Sequence, residues 1–302
     1  MSDDRHHPRF DTDLLSVDVI LPSGYSIGQR LVRSPVALVG LMLIFAWAAA
    51  AALAPLAAPY APNAQHMTAI EMMPSPHHWL GADSLKRDIL SRILWGARPV
   101  LTLAPLALMS AYSIGIALGL VAGYFGGWVD DFISQTVDVL LSFPKIVIYV
   151  VLIATVGPSR ANIIAAVVLV ASPGIARLTR GLTLEIKTKD YVAAALTRGE
   201  SAIYIMVAEI LPNARSLLLV DACMRMGYTI IAIGTLGFLG LGLPPPDPDW
   251  GGMVREGTPM LSVYPHMALF PCAAIITLAM GFNLLADGLQ ELQSQPQGGA
   301  AA

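Results

Sequence analysis

The chain has 302 residues, 55% of them hydrophobic and 13% charged, where an ordinary soluble domain carries roughly a quarter charged, and its mean hydropathy is +0.64. A net charge of -3 with no basic stripe and no aromatic-plus-arginine platform excludes a nucleic-acid partner. Lipid is the main solvent of such a chain, and each crossing of a core about 30 Å thick needs about 20 apolar residues.

Residues 1–33 are mostly polar, with Arg5, His6, His7 and Arg9 among acids and no apolar period that supports packing over the first two dozen; they are expected as an N-terminal cytoplasmic tail. The first apolar run, Val36–Ala58, starts too late and runs too long for a cleaved signal, so it reads as a retained anchor. Five more runs follow: Val100–Tyr124, Phe132–Val156, Asn162–Leu178, Leu217–Leu243 and Pro265–Leu285. The fourth is the weakest, being short and carrying Pro173–Gly174. The expected fold is therefore an all-α membrane protein of six transmembrane helices, one domain over residues 34–289 with a C-terminal cytoplasmic tail at 290–302. Lys and Arg are enriched on one side, where Arg30, Arg33, Arg177, Arg180, Lys187 and Lys189 fall, so both termini are expected in the cytoplasm.

Between the first two runs, Ser84 can cap a helix in which Ile89, Ile93 and Leu94 share a face while Arg92 and Arg98 reach the membrane interface. The residues alone make this an interfacial anchor. His66, His77 and His78 lie on a proline-rich loop without helical spacing, which favours a solvated loop over a nickel or other metal site. Thr179–Ser216 is expected to project from the membrane as two short helices, Leu184–Leu196 and Ser201–Ile210, with a reversal at Gly199 and Pro212 opening the fifth span.

Charges inside spans are costly and are functional candidates by default. Asp221 and Arg225 are four apart and can pair, while Asp138 and Lys145 are too far apart to touch and either reach the interface or face a partner subunit. Cys223 and Cys272 lie in apolar runs and behave as small hydrophobes. No phosphate-binding G-x-x-x-x-G-K-[ST] loop occurs, so no ATP site is expected in this chain and it is not expected to be an enzyme.

Four segments together carry a family resemblance. Trp79-Leu-Gly81-Ala-Asp83-Ser-Leu-Lys-Arg87-Asp88-Ile-Leu-Ser-Arg92, continuing to Gly96-Ala-Arg98, is similar to the W-L-G-T-D-x-x-G-R-D-x-L-S-R-x-x-x-G-A-R signature of peptide and nickel permeases. Ala194, Ala195, Gly199, Leu211 and Pro212 resemble the EAA loop of ABC importer permeases, with Ala193 at the family's glutamate and Glu209 at its isoleucine. Gly237-Phe-Leu-Gly-Leu-Gly242 with its proline run and Trp250-Gly251, and Asn283-Leu-Leu-Ala-Asp-Gly-Leu289, are similar to two further family segments. The three glycines permit either close helix approach or a helix break, with close packing the expected role.

The chain is thus identified as resembling the dipeptide/oligopeptide/nickel class of ABC importer permeases, over about Arg33 to Leu289. That resemblance implies a type I importer permease fold, inner-membrane localisation and alternating access. It implies a second related permease subunit, two ATP-binding subunits that use ATP and Mg, and a periplasmic or lipid-anchored substrate-binding protein. It implies a coupling loop at Ala193, Ala194, Ala195, Gly199, Glu200, Ser201, Leu211 and Pro212, and a periplasmic signature at Trp79, Gly81, Asp83, Arg87, Asp88, Arg92 and Arg98. Cargo within this class spans dipeptides, oligopeptides, glutathione, opines and nickel chelates. An ion-gradient-driven secondary transporter is the alternative, resting on Asp138 and Asp221 alone.

Overall fold

The computed structural model describes residues 34–65 and 72–294, so the expected N-terminal tail, His66 and the last eight residues of the expected C-terminal tail lie outside it. The described residues form helices α1 (Pro35–Ala57), α2 (Ile89–Phe125), α3 (Gly127–Leu141), α4 (Lys145–Val156) and α5 (Arg160–Ile186). They continue with α6 (Asp190–Thr197), α7 (Ala202–Phe238), α8 (Trp250–Gly257) and α9 (His266–Ser294). Five of these are long and apolar enough to cross a membrane, or six crossings if α3 and α4 are one broken span.

Several expected boundaries are corrected. The third span, Phe132–Val156, is two helices bent by 85° at Ser142–Pro144, because Pro144 lacks the N–H that would carry α3 onward. The fourth, Asn162–Leu178, is neither short nor interrupted: α5 runs through Pro173, and Gly174 leaves room for the Arg225 guanidinium, 3.0 Å from where a Cβ would sit. Neighbouring helices can absorb a proline in this way in lipid. The helix that carries the second span starts at Ile89, ahead of Val100, the helix of the fifth ends at Phe238, and that of the last continues to Ser294.

At 37 residues α2 is about 55 Å long, well beyond a core of about 30 Å, so its first turns stand outside the bilayer. Its main neighbour is α5. Gly115, Gly119 and Gly123 repeat every four residues on α2, and a Cβ at each would lie 2.6–2.7 Å from Ile175, Ala176, Thr179 or Thr183. Small residues at this spacing bring helix backbones close enough for dispersion to hold them without a hydrophobic driving force. Ala37 and Gly40 on α1 meet Gly281 and Gly288 on α9 by the same device. Trp47 Nε1 then donates to Thr277 Oγ1 at 3.1 Å.

Candidate functional site

The two signature regions occupy opposite ends of the bundle, one past the C-terminal end of α2 and the other at its N-terminal end. At the first, α5 ends at Ile186 and the chain turns through Lys187, whose Nζ donates to Gly123 O at 2.8 Å. The expected helix Leu184–Leu196 is therefore split, and α6 starts anew at Asp190. Val192 and Ala195 are buried against Leu120, Ile205, Ile210 and Leu218, which fixes α6 to the bundle. Ala193 and Ala194 face outward, so the position of the family glutamate has room for a longer side chain.

The reversal after α6 is a Schellman turn. Glu200 N–H donates to Ala195 O at 3.2 Å and Gly199 N–H to Leu196 O at 3.0 Å, with Gly199 at φ +78°. Ser201 Oγ then accepts from Tyr204 N–H at 3.2 Å and caps the next helix. The expected second short helix, Ser201–Ile210, does not stand alone: a π-helical turn at Ile205–Ile210 joins it to Leu211–Phe238, and Pro212 sits in a continuous rod. Ile203 is 71% and Val207 55% exposed, with Tyr204 and Leu196 beside them, an apolar surface at a polar helix end. Glu209, at the family isoleucine, lies 3.4 Å from Arg198 on the surface. Burial first, and the Glu209 carboxylate second, push the Tyr191 phenol above its ordinary value.

The opposite end is a knot of charges. Asp83 Oδ1 accepts the Leu85 and Arg87 N–H groups at 2.9 Å each. Its Oδ2 accepts Arg87 Nε at 2.8 Å and Arg92 at 2.5 Å, while Glu256 on α8 accepts Arg87 at 2.5 Å and Arg92 at 3.1 Å. Arg92 is 4% exposed, so the expectation that it reaches the membrane interface is overturned: a guanidinium can sit there because two carboxylates face it. Asp88, not Ser84, caps α2, accepting Ser91 N–H at 2.7 Å, and its other oxygen lies 2.9 Å from His78 Nδ1. His78 is therefore held in the knot rather than solvated, although His77 is exposed as expected. No cluster of metal ligands occurs among the described residues.

Gly81 (φ +79°) is buried against Met72 O and His266, Trp79 is exposed, and Arg98 donates to Ala51 O at 2.6 Å, tying α2 to α1. The glycines after α7 do pack closely, and what they receive is a carboxylate. A Cβ at Gly237 or Gly242 would collide with Asp249, which caps α8 by accepting the Gly251 and Gly252 N–H groups. Trp250 follows, fully buried, with Nε1 donating to Ile93 O at 2.9 Å above Gly96. Burial pushes the Asp249 carboxyl up to about 6, against the opposing pull of the two N–H groups and Arg92.

Inside the bundle, Arg225 pairs with Asp221 at 2.6 Å as expected, and Tyr112 joins them with its hydroxyl 2.5 Å from the same carboxylate oxygen. Asp138 pairs with Arg177 and Asp130 with Arg180, links between α3 and α5 that spacing along one helix could not reveal.

A broken-span helical bundle with a helical elbow at one end and a charged knot at the other is the architecture of a multi-pass membrane protein and fits a permease. The chain belongs to the family of binding-protein-dependent transport system inner membrane components, whose family model matches residues 115–296. The model of the N-terminal TM domain of oligopeptide transport permease C matches residues 26–74. Among its relatives, the glutathione transport system permease protein GsiD of Pectobacterium atrosepticum is 43% identical over 218 residues, 72% of each chain. GsiD of Escherichia coli O157:H7 is 38% identical over 279 residues, 92% of each. The dipeptide transport system permease protein DppC of Alkalihalophilus pseudofirmus is 34% identical over 263 residues, 87% of this chain and 86% of that one. The chain is thus an inner-membrane permease subunit of an ATP-driven, binding-protein-dependent importer with the all-α type I permease fold, and the ion-gradient alternative falls away.

Proposed function

We propose that this chain forms half of a translocation path for short peptides or a closely related solute, paired with a second, homologous permease subunit. Two ATP-binding subunits, which consume ATP and Mg, dock on the cytoplasmic elbow around Ala193, Ala194, Glu200 and Ser201. The elbow carries this reading: its apolar residues Ile203 and Val207 are exposed, while Val192 and Ala195 anchor it and Gly199 sets its angle. Ala195 holds α6 to the bundle, and Leu211 and Pro212 lie in the rod that carries the movement to α7. A periplasmic or lipid-anchored binding protein delivers the solute at the knot, where Trp79 is exposed and Gly81, Asp83, Arg87, Asp88, Arg92 and Arg98 hold the surface rigid. Both termini are then cytoplasmic. The names of the relatives support a glutathione-sized or dipeptide cargo.

The test is co-purification of the tagged chain with its partners, followed by labelling of single cysteines at Trp79→Cys and Lys189→Cys, both exposed positions, with an impermeant reagent. ATP-binding subunits in the complex, with labelling at 79 but not 189 from outside intact spheroplasts, are expected. Purification as a lone chain, or the reverse labelling pattern, would overturn the reading.

A further inference from the structure

A groove of about 270 Å³ lies between α4, α5 and α7, running from Thr235 inward past Tyr228 and Tyr149 to Arg225 and Lys145. Its depth follows from helix rise. Lys145 is 11 residues below the end of α4 at Val156, and Arg225 is 13 residues below Phe238, which at 1.5 Å per residue is about 16 and about 20 Å. Val170, ten residues into α5 from Arg160, is about 15 Å down. Along all three helices the deep end is thus about 15–20 Å from the knot-side ends, about half the thickness of a core about 30 Å thick.

Two cations meet there, and only one is neutralised. Arg225 is paired with Asp221, which is itself engaged by Tyr112. Lys145 makes no ion pair among the described residues. A lone ammonium at this depth is costly unless it faces water, a cavity or an anion, and intramembrane ionisable residues mark substrate pathways. The break between α3 and α4 places Lys145 at the wall of the groove instead of partway along a straight span. Lipid phosphate stays at the bilayer surface, beyond the deep end. Tyr228, 68% exposed and 10 residues below Phe238, stands about 15 Å down on the open side of the groove, level with Lys145.

We propose that this groove is the intramembrane site for the carboxylate of the transported solute, with the Lys145 ammonium as its charge partner and the Arg225 guanidinium as a second donor. The inference rests on the translocation reading above and adds the charge class that the path selects. A solute carboxylate entering from the knot end would leave its other groups beside Tyr149, Tyr228 and Thr229, where phenol and hydroxyl oxygens meet apolar walls.

The assembled importer, reconstituted in proteoliposomes with Cys223→Ala, Cys272→Ala and Tyr228→Cys, provides the test. Two water-soluble methanethiosulfonates, one sulfonated and one trimethylammonium, are reacted with position 228, and their rate ratio is normalised to that with a free small thiol. The sulfonated reagent is expected to be favoured about tenfold, Lys145→Gln to remove most of that preference, and Lys145→Arg to keep it. The free-acid dipeptide Ala-Ala at millimolar concentration should slow labelling, and its C-terminal amide should not. A ratio insensitive to Lys145→Gln, or equal protection by acid and amide, overturns the carboxylate site. ATP-dependent uptake by the same chain with Tyr228 retained reports the transport reading separately, so either can fail without the other.

Discussion

Gly199 offers the sharpest test of the elbow, because strain and contact can be separated there. Its φ of +78° lies in the left-handed region, which costs an L-residue roughly 1–2 kcal/mol, and a Cβ built on it meets nothing within 4 Å. Size alone therefore does no harm inside this chain. Gly199→Ala imposes only the backbone cost, about a fivefold to thirtyfold shift away from the native turn. Gly199→Asn imposes less, since Asn adopts this conformation more readily. Gly199→Trp adds a side chain projecting into whatever docks outside. Each variant is assembled with its partners, assembly is checked by size exclusion, and substrate-stimulated ATPase activity and uptake are measured. The expected order of coupling is Gly, then Asn, then Ala, with Trp lowest and membrane insertion equal throughout. An assembled Gly199→Trp complex with wild-type stimulation and uptake would refute the coupling role, and equal losses for Ala and Trp would refute contact with a partner at this position.

Further outcomes follow from the knot and the helix contacts. Asp83→Ala leaves Arg92 buried with only the more distant Glu256, and loss of one partner of a buried pair costs about 3–5 kcal/mol; a marked drop in the thermal midpoint of the purified complex is expected, and an unchanged midpoint counts against the network. Gly237→Ala drives a methyl into Asp249 and should forfeit the α8 cap, about 0.5–2 kcal/mol, whereas Gly181→Ala in α5 meets nothing within 4 Å and should be neutral or slightly stabilising by the same measurement. Asp249 has a carboxyl raised to about 6 by burial, so its contribution is fully present below the ordinary carboxylate range and is lost as pH rises through about 6. Asp249→Asn keeps an acceptor for α8 and should flatten stability between about pH 4 and 6; an unaltered profile would show that another group sets the slope.

Composition and apolar run length were enough to read a membrane protein and to find nearly every crossing, because the bilayer requires long apolar helices whatever their neighbours do. The turn at Gly199 and the Asp221–Arg225 pair were legible for a similar reason: both are local, set by residues within one helical turn or one reversal. The packing of Gly115, Gly119 and Gly123 against α5 emerges only from the fold, since spacing along α2 does not name its partner. What escaped was everything settled across the fold. Arg92 looked like an interfacial arginine until Glu256, 164 residues away, came to face it. Pro173–Gly174 looked like a weak point until Arg225 filled the space beside it, while Pro144, inside an apparently continuous run, made the real break. Lys145 acquires meaning only once α4, α5 and α7 line one groove with it. Hydropathy is additive along a chain, and so can be read from it. Pairing of charges and complementarity of surfaces depend on which distant residues meet, and tertiary packing alone decides that.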